Sequence, residues 1–398
     1  MLKNILIKAT SKLEQKIDDL TIELKTRLGI NRPLHIVTYR TYGAGSRLYV
    51  KGRVLENKNI IKSVKDHTTF QNILNMYKRF ETDEVRNAEL RLTFNEKEYT
   101  VFTDEEGYFT INLHSSIEIT EGDMWHEVSL ELIGAPYGFA PDIKAEAEVL
   151  IPPTDAEYGI ISDIDDTIVK TSAIDLLAMS RNTFFHNAYT RLPFAGVSEF
   201  YKALQLGRNG KRNNPFFYVS SSPWNLYDLL RDYMDLNEIP PGPLLLRDFG
   251  LQENGGLPQG HMGHKFKEIK QILETYPHLN FILIGDSGQE DPVIFREVVK
   301  NFPGRILTIY IRDVQHADRE KIAVEIAQDL KSHQVDMIVV DETVEASKHA
   351  AAAGLIYTAA IPQIEVDKKM DTGEAPGKEA LGADLFVQQI PIHIKKSG

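Results

Sequence analysis

The sequence predicts an α/β chain in which a doubly wound parallel-sheet domain follows an N-terminal antiparallel β-sandwich domain. Three observations carry this. From about residue 34 to 151 apolar residues recur with a period of two, the signature of half-buried strands. After residue 156, short and almost wholly apolar runs alternate with amphipathic helical patterns, as expected of a parallel sheet covered on both faces. The chain has 398 residues, too many for a single ordinary core.

The elements follow in order. Residues 1–33 contain Leu13, Ile17, Leu20, Leu24 and Leu28, one apolar stripe at helical spacing. Residues 34–151 contain "RLYVKGRVL", "AELRLTFNEKEYTVFTDEEGYFTINL", "EVSLELIG" and "AEAEVLI", strand-like stretches separated by turn residues. Between two of them "TTFQNILNMYKRF" spaces Phe70, Ile73, Leu74, Tyr77 and Phe80 as an inserted helix. "YGAGS" at 42–46 reads as a turn. "IPPTDAE" is a linker, since paired prolines favour extended, unpaired backbone. The α/β domain spans 156–360, with strands "YGIIS", "FFYVS", "FILIG", "RILTIYI" and "DMIVV" and helices "VSEFYKAL", "WNLYDLLRDYM", "KFKEIKQILETY" and "VIFREVVKNF". Residues 361–398 mix Gly, Pro and both charge signs without sustained periodicity and read as a tail.

Composition excludes several classes. There is no cysteine, so thiolate chemistry and disulfides are out. A net charge of -12 argues against nucleic-acid binding, which rests on basic surface, and means that an anionic substrate must be held locally. No apolar run reaches the ~18 residues that cross a bilayer, and the N-terminus lacks a signal-peptide core. The expectation is a cytoplasmic protein.

In such sheets the site lies beyond the carboxyl ends of the strands, and acidic residues gather there. "YGIISDIDDTIVK" (158–170) runs a buried strand into Asp163, Asp165 and Asp166. Asp163 and Asp165 leave the strand end on about the same side, and such a pair needs a cation or a proton between them. Magnesium suits, with its preference for hard oxygen ligands and open positions for phosphate. "FILIGDSGQED" ends a second strand in Asp286, with Asp291 five residues on; "FFYVSSSP" offers Ser220; "HKFKEIKQIL" opens a helix with Lys265. A nucleophilic carboxylate, an acid/base carboxylate, a hydroxyl, a lysine and metal-binding aspartates equip a site for phosphoryl transfer.

The order "DIDDT", "VSSS", a lysine opening a helix, and "GDSGQED" resembles the four motifs of the haloacid dehalogenase (HAD) superfamily of magnesium-dependent phosphatases. "SDIDDTI", "SSSPWNLYDLL", "GPLLLRD" and "IGDSGQEDP" further resemble the actin-patch-protein type of phosphatidate phosphatase, over about residues 156–356. The resemblance implies a HAD-like fold and a phosphomonoester hydrolase using Mg2+. Asp163 would be the nucleophile, Asp165 the general acid and base, Thr167 a support for the loop, Ser220 the phosphate holder and Lys265 the charge clamp. Asp163, the backbone carbonyl of Asp165, and Asp286 would hold the metal, with Asp291 completing the acidic pocket. The substrate implied is a phospholipid at a membrane surface, with a soluble phosphomonoester, a phosphoprotein, or a non-catalytic scaffold as alternatives.

Several residues have plainer readings. Asp291 and Ser222 each precede a proline and a helical pattern, as N-caps do; for Ser222 the cap is preferred. Lys267 competes with Lys265. Asp166 reads as a structural loop residue, and His186, His261 and His264, lacking ligand spacing, as surface or loop residues. "GRNGKRNN" (207–214) reads as a solvated loop at the end of the sheet away from the site. The short insert between the first two motifs leaves the cleft open, which suits a substrate embedded in something larger. The lysine-bearing first twelve residues could rest on a bilayer, while the Leu13–Leu28 face suits packing on the β-domain.

Overall fold

The computed structural model describes residues 33–45, 47–56, 84–114, 123–136, 138–165, 167–168, 195–247, 261–314 and 317–372. The N-terminal helix, the inserted helix at 68–80, Asp166, His186, the insert after the first motif and the tail beyond 372 lie outside the described residues.

The first half forms one hydrogen-bonded sheet of eight strands: β1 (Leu34–Thr38), β2 (Thr41–Ala44), β3 (Arg47–Glu56), β4 (Glu89–Phe94), β5 (Lys97–Phe102), β6 (Tyr108–His114), β7 (Trp125–Gly134) and β8 (Lys144–Leu150). Their order is β1-β3-β2-β8-β7-β4-β5, with β6 also on β3. Strand β3 is long enough to give one edge to β1 and β2 in succession and the other to β6. The wholly antiparallel expectation is corrected at β2 and β8, which pair in parallel. That contact joins strands over a hundred residues apart, and the local alternation carries no information about it. Alternation itself holds. Leu90, Leu92 and Phe94 of β4 and Val128, Leu130 and Leu132 of β7 face one core. The β4–β5 hairpin turns through Asn95 and Glu96, both with positive φ (46° and 61°), the geometry of a tight two-residue connection.

The second half is a six-stranded sheet in which every pairing is parallel. It comprises β9 (Gly159–Asp163), β10 (Phe216–Pro223), β11 (Leu244–Arg247), β12 (Phe281–Asp286), β13 (Ile306–Arg312) and β14 (Asp336–Val340), in the order β11-β10-β9-β12-β13-β14. Helices α1 (Val197–Leu206), α2 (Tyr227–Leu236), α3 (His261–Thr275), α4 (Asp291–Asn301), α5 (Ala317–Lys331), α6 (Thr343–Ala352) and α7 (Ile361–Thr372) connect and flank the strands. Every residue of β9 and β12 is buried. From β9 the chain builds outward through β10 and β11, then returns to the other side of β9 to lay down β12, β13 and β14. The reversal opens a crevice at the carboxyl ends of β9 and β12, where ligands of such sheets bind.

Helix α7 occupies residues that the sequence assigns to a tail. It docks largely through carboxylates: Asp371 Oδ2 accepts from Gly196 N (2.8 Å) and Asp367 Oδ2 from Glu199 N (3.3 Å), at the start of α1. The basic run 207–214 lies at the amino end of β10, where the Glu157 carboxylate accepts from Arg208 N and Asn209 N and Lys211 pairs with Asp155. That is the end of the sheet away from the crevice. Among the described residues no helix is long and apolar enough to cross a membrane.

Candidate active site

Four sequence segments meet in the crevice. Strand β9 ends in Asp163, β12 ends in Asp286, α4 begins with Asp291, and α3 carries Lys265; all four side chains are buried. One carboxylate oxygen from each of Asp163, Asp286 and Asp291 lies within 4.8 Å of the others. Lys265 Nζ stands between two of them, 2.7 Å from Asp163 Oδ1 and 2.7 Å from Asp291 Oδ1.

Each position has a local cause. Asp286 Oδ1 accepts from Gly288 N (2.6 Å) and Gln289 N (3.0 Å), so the strand-end aspartate folds the following loop around itself. The loop returns Asp291, whose Oδ2 accepts from Asp286 N (3.2 Å). The cap reading of Asp291 does not hold: it is the first helical residue, Glu290 takes the cap position without a side-chain bond, and the Asp291 carboxylate turns back to the strand. Between the two lysines, Lys265 is buried and Lys267 exposed.

Among the described residues, Asp163 and Asp291 share the ammonium of Lys265, with Asp286 beside them. Burial pushes the Asp163 carboxyl well above the usual range; Lys265 opposes this, while Asp291, Asp165 and Asp286 add to it by repulsion. Burial alone would lower the Lys265 ammonium, but Asp163 and Asp291 outweigh it and hold the lysine charged. Lys265 Nζ lies 2.7 Å from Asp163 Oδ1 as a charged donor, and among the described residues Asp163 Oδ2 accepts no hydrogen bond. Three buried carboxylates with an oxygen each within 4.8 Å of the others suit a hard divalent cation. The residues present fit such an ion.

Asp165 points elsewhere. Its Oδ2 accepts from Ser220 Oγ (2.6 Å) and Ser221 N (3.3 Å), and its Oδ1 from Ser222 Oγ (3.0 Å). Its side chain is therefore not in the acidic trio. Its backbone carbonyl lies 3.5 Å from Gln289 Nε2, and Gln289 Oε1 accepts from Lys265 (3.3 Å), which ties the two motifs together. Thr167 is buried beside them, and its hydroxyl makes no hydrogen bond among the described residues.

Two expectations are corrected. Ser222 is not an N-cap: the short turn at Trp224–Leu226 and α2 have no side-chain cap bond, and its hydroxyl serves Asp165. The cause is a bulge. Val219 pairs with Leu245 and Pro223 with Arg247, so Ser220, Ser221 and Ser222 together face the single residue Leu246, and the strand bends toward Asp165. His264 is not a surface residue. Its ring, 12% exposed, sits on α3 against the backbone of Leu245 and Ser220, and burial pushes it down to about 4. Neither has a periodic or spacing signal, although hydroxyls at 220 and 222 share the two-residue spacing of one strand face.

A protein-family model described as "Phosphatidate phosphatase APP1, catalytic domain" matches residues 158–313, the segment that holds every one of these side chains. Phosphatidate phosphatase APP1 of Saccharomyces cerevisiae is 37% identical over 155 residues, 39% of this chain and 25% of that protein. An uncharacterized protein of Schizosaccharomyces pombe is 27% identical over 220 residues, 54% of this chain and 35% of that one. The chain thus spans about a quarter to a third of the length of these relatives. A carbohydrate acetylesterase from Xanthomonas citri aligns over 76% of this chain and 74% of its own, at 10% identity and a TM-score of 0.24, too low to bear on the fold.

Proposed function

We propose that this chain is a magnesium-dependent phosphatidate phosphatase of HAD-like fold, working through an aspartyl-phosphate on Asp163. The carrying observation is the Asp163 carboxylate at the crevice, with Lys265 Nζ 2.7 Å from Oδ1, Oδ2 without a donor among the described residues, and Asp286 and Asp291 beside it. The similarity of residues 158–313 to the phosphatidate phosphatase catalytic domain supports the substrate class.

Asp163, Asp286 and Asp291, with the Asp165 carbonyl, would hold the magnesium. Its double charge would offset the repulsion among these carboxylates and draw negative charge off the phosphoryl oxygens. An Asp163 oxygen attacks phosphorus as the bond to the glycerol oxygen breaks. The Asp165 carboxyl gives its proton to that departing oxygen, forming diacylglycerol. Asp165 then takes a proton from a water that attacks the acyl-phosphate, releasing inorganic phosphate and restoring Asp163. To do this Asp165 must exchange its bonds to Ser220 and Ser222 for the substrate, leaving those hydroxyls free for phosphate oxygens. Lys265, 2.7 Å away, draws the Asp163 carboxyl toward the ionised form that attacks, against the burial that raises it. Access would be peripheral, from the cytoplasmic side of a membrane, since substrate and product both stay in the bilayer.

The test is phosphate release from phosphatidate in mixed micelles, lysophosphatidate, a sugar phosphate and a phosphopeptide, each with magnesium and with chelator. Phosphatidate should be hydrolysed fastest, and chelator should abolish release until magnesium is restored. Full turnover in chelator overturns the metal reading. Preference for the sugar phosphate or phosphopeptide overturns the lipid.

A further inference from the structure

The strand bulge that presents Ser220 and Ser222 to Asp165 is held unequally by its own sheet: two neighbours pair with it on the amino side, and on the carboxyl side only Pro223 pairs, with Arg247 of β11. On the amino side Tyr218 and Val219 are paired with both β9 and β11. On the carboxyl side come Pro223, the short turn from Trp224 and then Tyr227. These two aromatics stack on each other with centroids 6.1 Å apart, and residues of β3 and of the β1–β2 connection grip them from the first half of the chain. Tyr39 stacks on Trp224 with ring centroids 4.9 Å apart and lies 4.3 Å from the ring of Tyr227. Arg40 N donates to the Tyr227 hydroxyl (2.6 Å). Lys51 of β3, 8% exposed, sets its ammonium 4.5 Å from the Trp224 ring centroid and 5.1 Å from that of Tyr108. Tyr39 N donates to Lys51 O (3.2 Å), so the two gripping residues are held side by side.

We infer that Lys51 is a positioning residue for the site: by holding Trp224 it fixes the serine bulge that orients Asp165, which makes the β-domain a part of the active site. The physical case rests on where the grip falls. Trp224 is two residues beyond Ser222, and a bulged strand has lost the ladder bonds that would otherwise fix it. A desolvated cation between two ring faces is attracted to both. Moving Trp224 would move Ser222 Oγ out of reach of Asp165 Oδ1, now at 3.0 Å, and catalysis is sensitive to displacements of that size.

The test compares Lys51→Met, which keeps the stem and removes the charge, with Lys51→Arg, which keeps a cation able to lie on a ring. Amide hydrogen exchange is followed at 219–226 and, as reference, at β12. Lys51→Met should speed exchange at Ser220–Trp224 and leave β12 protected; Lys51→Arg should restore the wild-type pattern. Trp224→Leu, which removes the gripped ring from the other side, should reproduce the Lys51→Met pattern. In turnover of a water-soluble phosphomonoester, Lys51→Met should lower kcat roughly ten- to a hundredfold with KM unchanged, and Lys51→Arg should recover it. Unchanged exchange at 220–224 in both Lys51→Met and Trp224→Leu overturns the inference. So does exchange that rises equally throughout both sheets, which marks a merely structural role. The kinetic arm rests on the phosphatase reading; the exchange arm does not. If the wild type releases no phosphate from any phosphomonoester, that reading falls, and the exchange result alone decides the role of Lys51.

Discussion

Gly285, the residue before Asp286, gives a direct test of whether Asp291 belongs to a metal site. A Cβ built there would lie 2.5 Å from Asp291 Oδ2 and 2.9 Å from both its Cβ and Cγ. Ordinary contact begins near 3.4 Å, so Gly285→Ala must displace Asp291 by up to about 0.9 Å, the difference of the two distances. Because Asp291 Cβ is among the crowded atoms, rotating the carboxylate alone does not relieve the contact. The side chain must move as a whole, and its bonds to Lys265 (2.7 Å) and Asp286 N (3.2 Å) cannot both survive. The matched control is Gly159→Ala at the far end of β9, where a Cβ would meet the Phe281 ring at 2.4 Å but touch no acidic side chain.

Overpacking of this kind costs about 1–3 kcal/mol, so both variants should melt earlier. Only Gly285→Ala should change the metal response, and disturbed metal-site contacts typically cost about 10–100-fold in affinity. The assay is phosphate release from a soluble phosphomonoester against magnesium concentration, with calorimetric magnesium titration beside it. Half-activation should move to higher magnesium by about that factor in Gly285→Ala and stay put in Gly159→Ala. Equal half-activation in both, with equal losses of stability, would refute the placement of Asp291 in the metal site.

Asp163→Asn should reduce phosphate release to background while circular dichroism stays native. Without metal it should melt no lower than wild type, because it removes a buried charge that Asp291, Asp165 and Asp286 repel; near-normal turnover in the folded variant would exclude Asp163 as nucleophile. Ser222→Ala should slow turnover and leave half-activation by magnesium unchanged, since Ser222 bonds to Asp165 and not to the trio; a variant indistinguishable from wild type would return Ser222 to a structural role. His264, at about 4 in the fold against about 6.5 in an unfolded chain, takes up its proton in the unfolded state first. Its contribution is complete above pH ~6.5 and is lost as pH falls toward 4, by at most about 3 kcal/mol. Denaturant titrations of wild type and His264→Gln should converge over that interval, and parallel curves would mean that the ring is not buried neutral.

The acidic site was largely legible because its residues end strands. An apolar run stopping at Asp163 or Asp286 marks a buried charge at the carboxyl end of a strand, and only a shared function explains several at once. Lys265 and Asp291 followed from motif order. What was not legible depends on partners distant in sequence. Ser222 before Pro223 looks like a cap until the pairing of β10 with the four-residue β11 shows the bulge, and β11 is too short to carry a periodic signal of its own. Of its apolar residues helix α7 buries only Ile364, and Asp367 and Asp371 make contacts with the start of α1, so a search for an apolar stripe passes it by. The direction of the Asp165 side chain, toward the serines and away from Asp163, follows from hydroxyls fifty residues on.

The limits of the catalytic-domain match are not physical boundaries of the fold. Residues 158–313 match the catalytic-domain model, yet two clusters of buried residues run across that limit. Tyr39 and Tyr108 pack in one core with Trp224, Tyr227 and Leu230, and Tyr42 and Leu150 in another with Phe217, Tyr276 and Phe281. Polar contacts follow the same seam: Arg47 donates to Thr275 Oγ1 (2.8 Å), and Tyr276 Oη donates to Gly43 O (2.9 Å). At the other limit, Val340, Ala350, Ile356 and Ile364 close the first of these cores. Cutting at 158 and 313 would bare Phe217, Trp224, Tyr227 and Tyr276, all now buried, and such an apolar surface promotes association. A fragment of residues 158–313 should therefore be insoluble or lack a cooperative melt, whereas residues 33–372 should unfold in a single transition. A soluble 158–313 fragment that melts cooperatively would show that the β-domain is an independent appendage, and would confine its role to the contacts at Trp224.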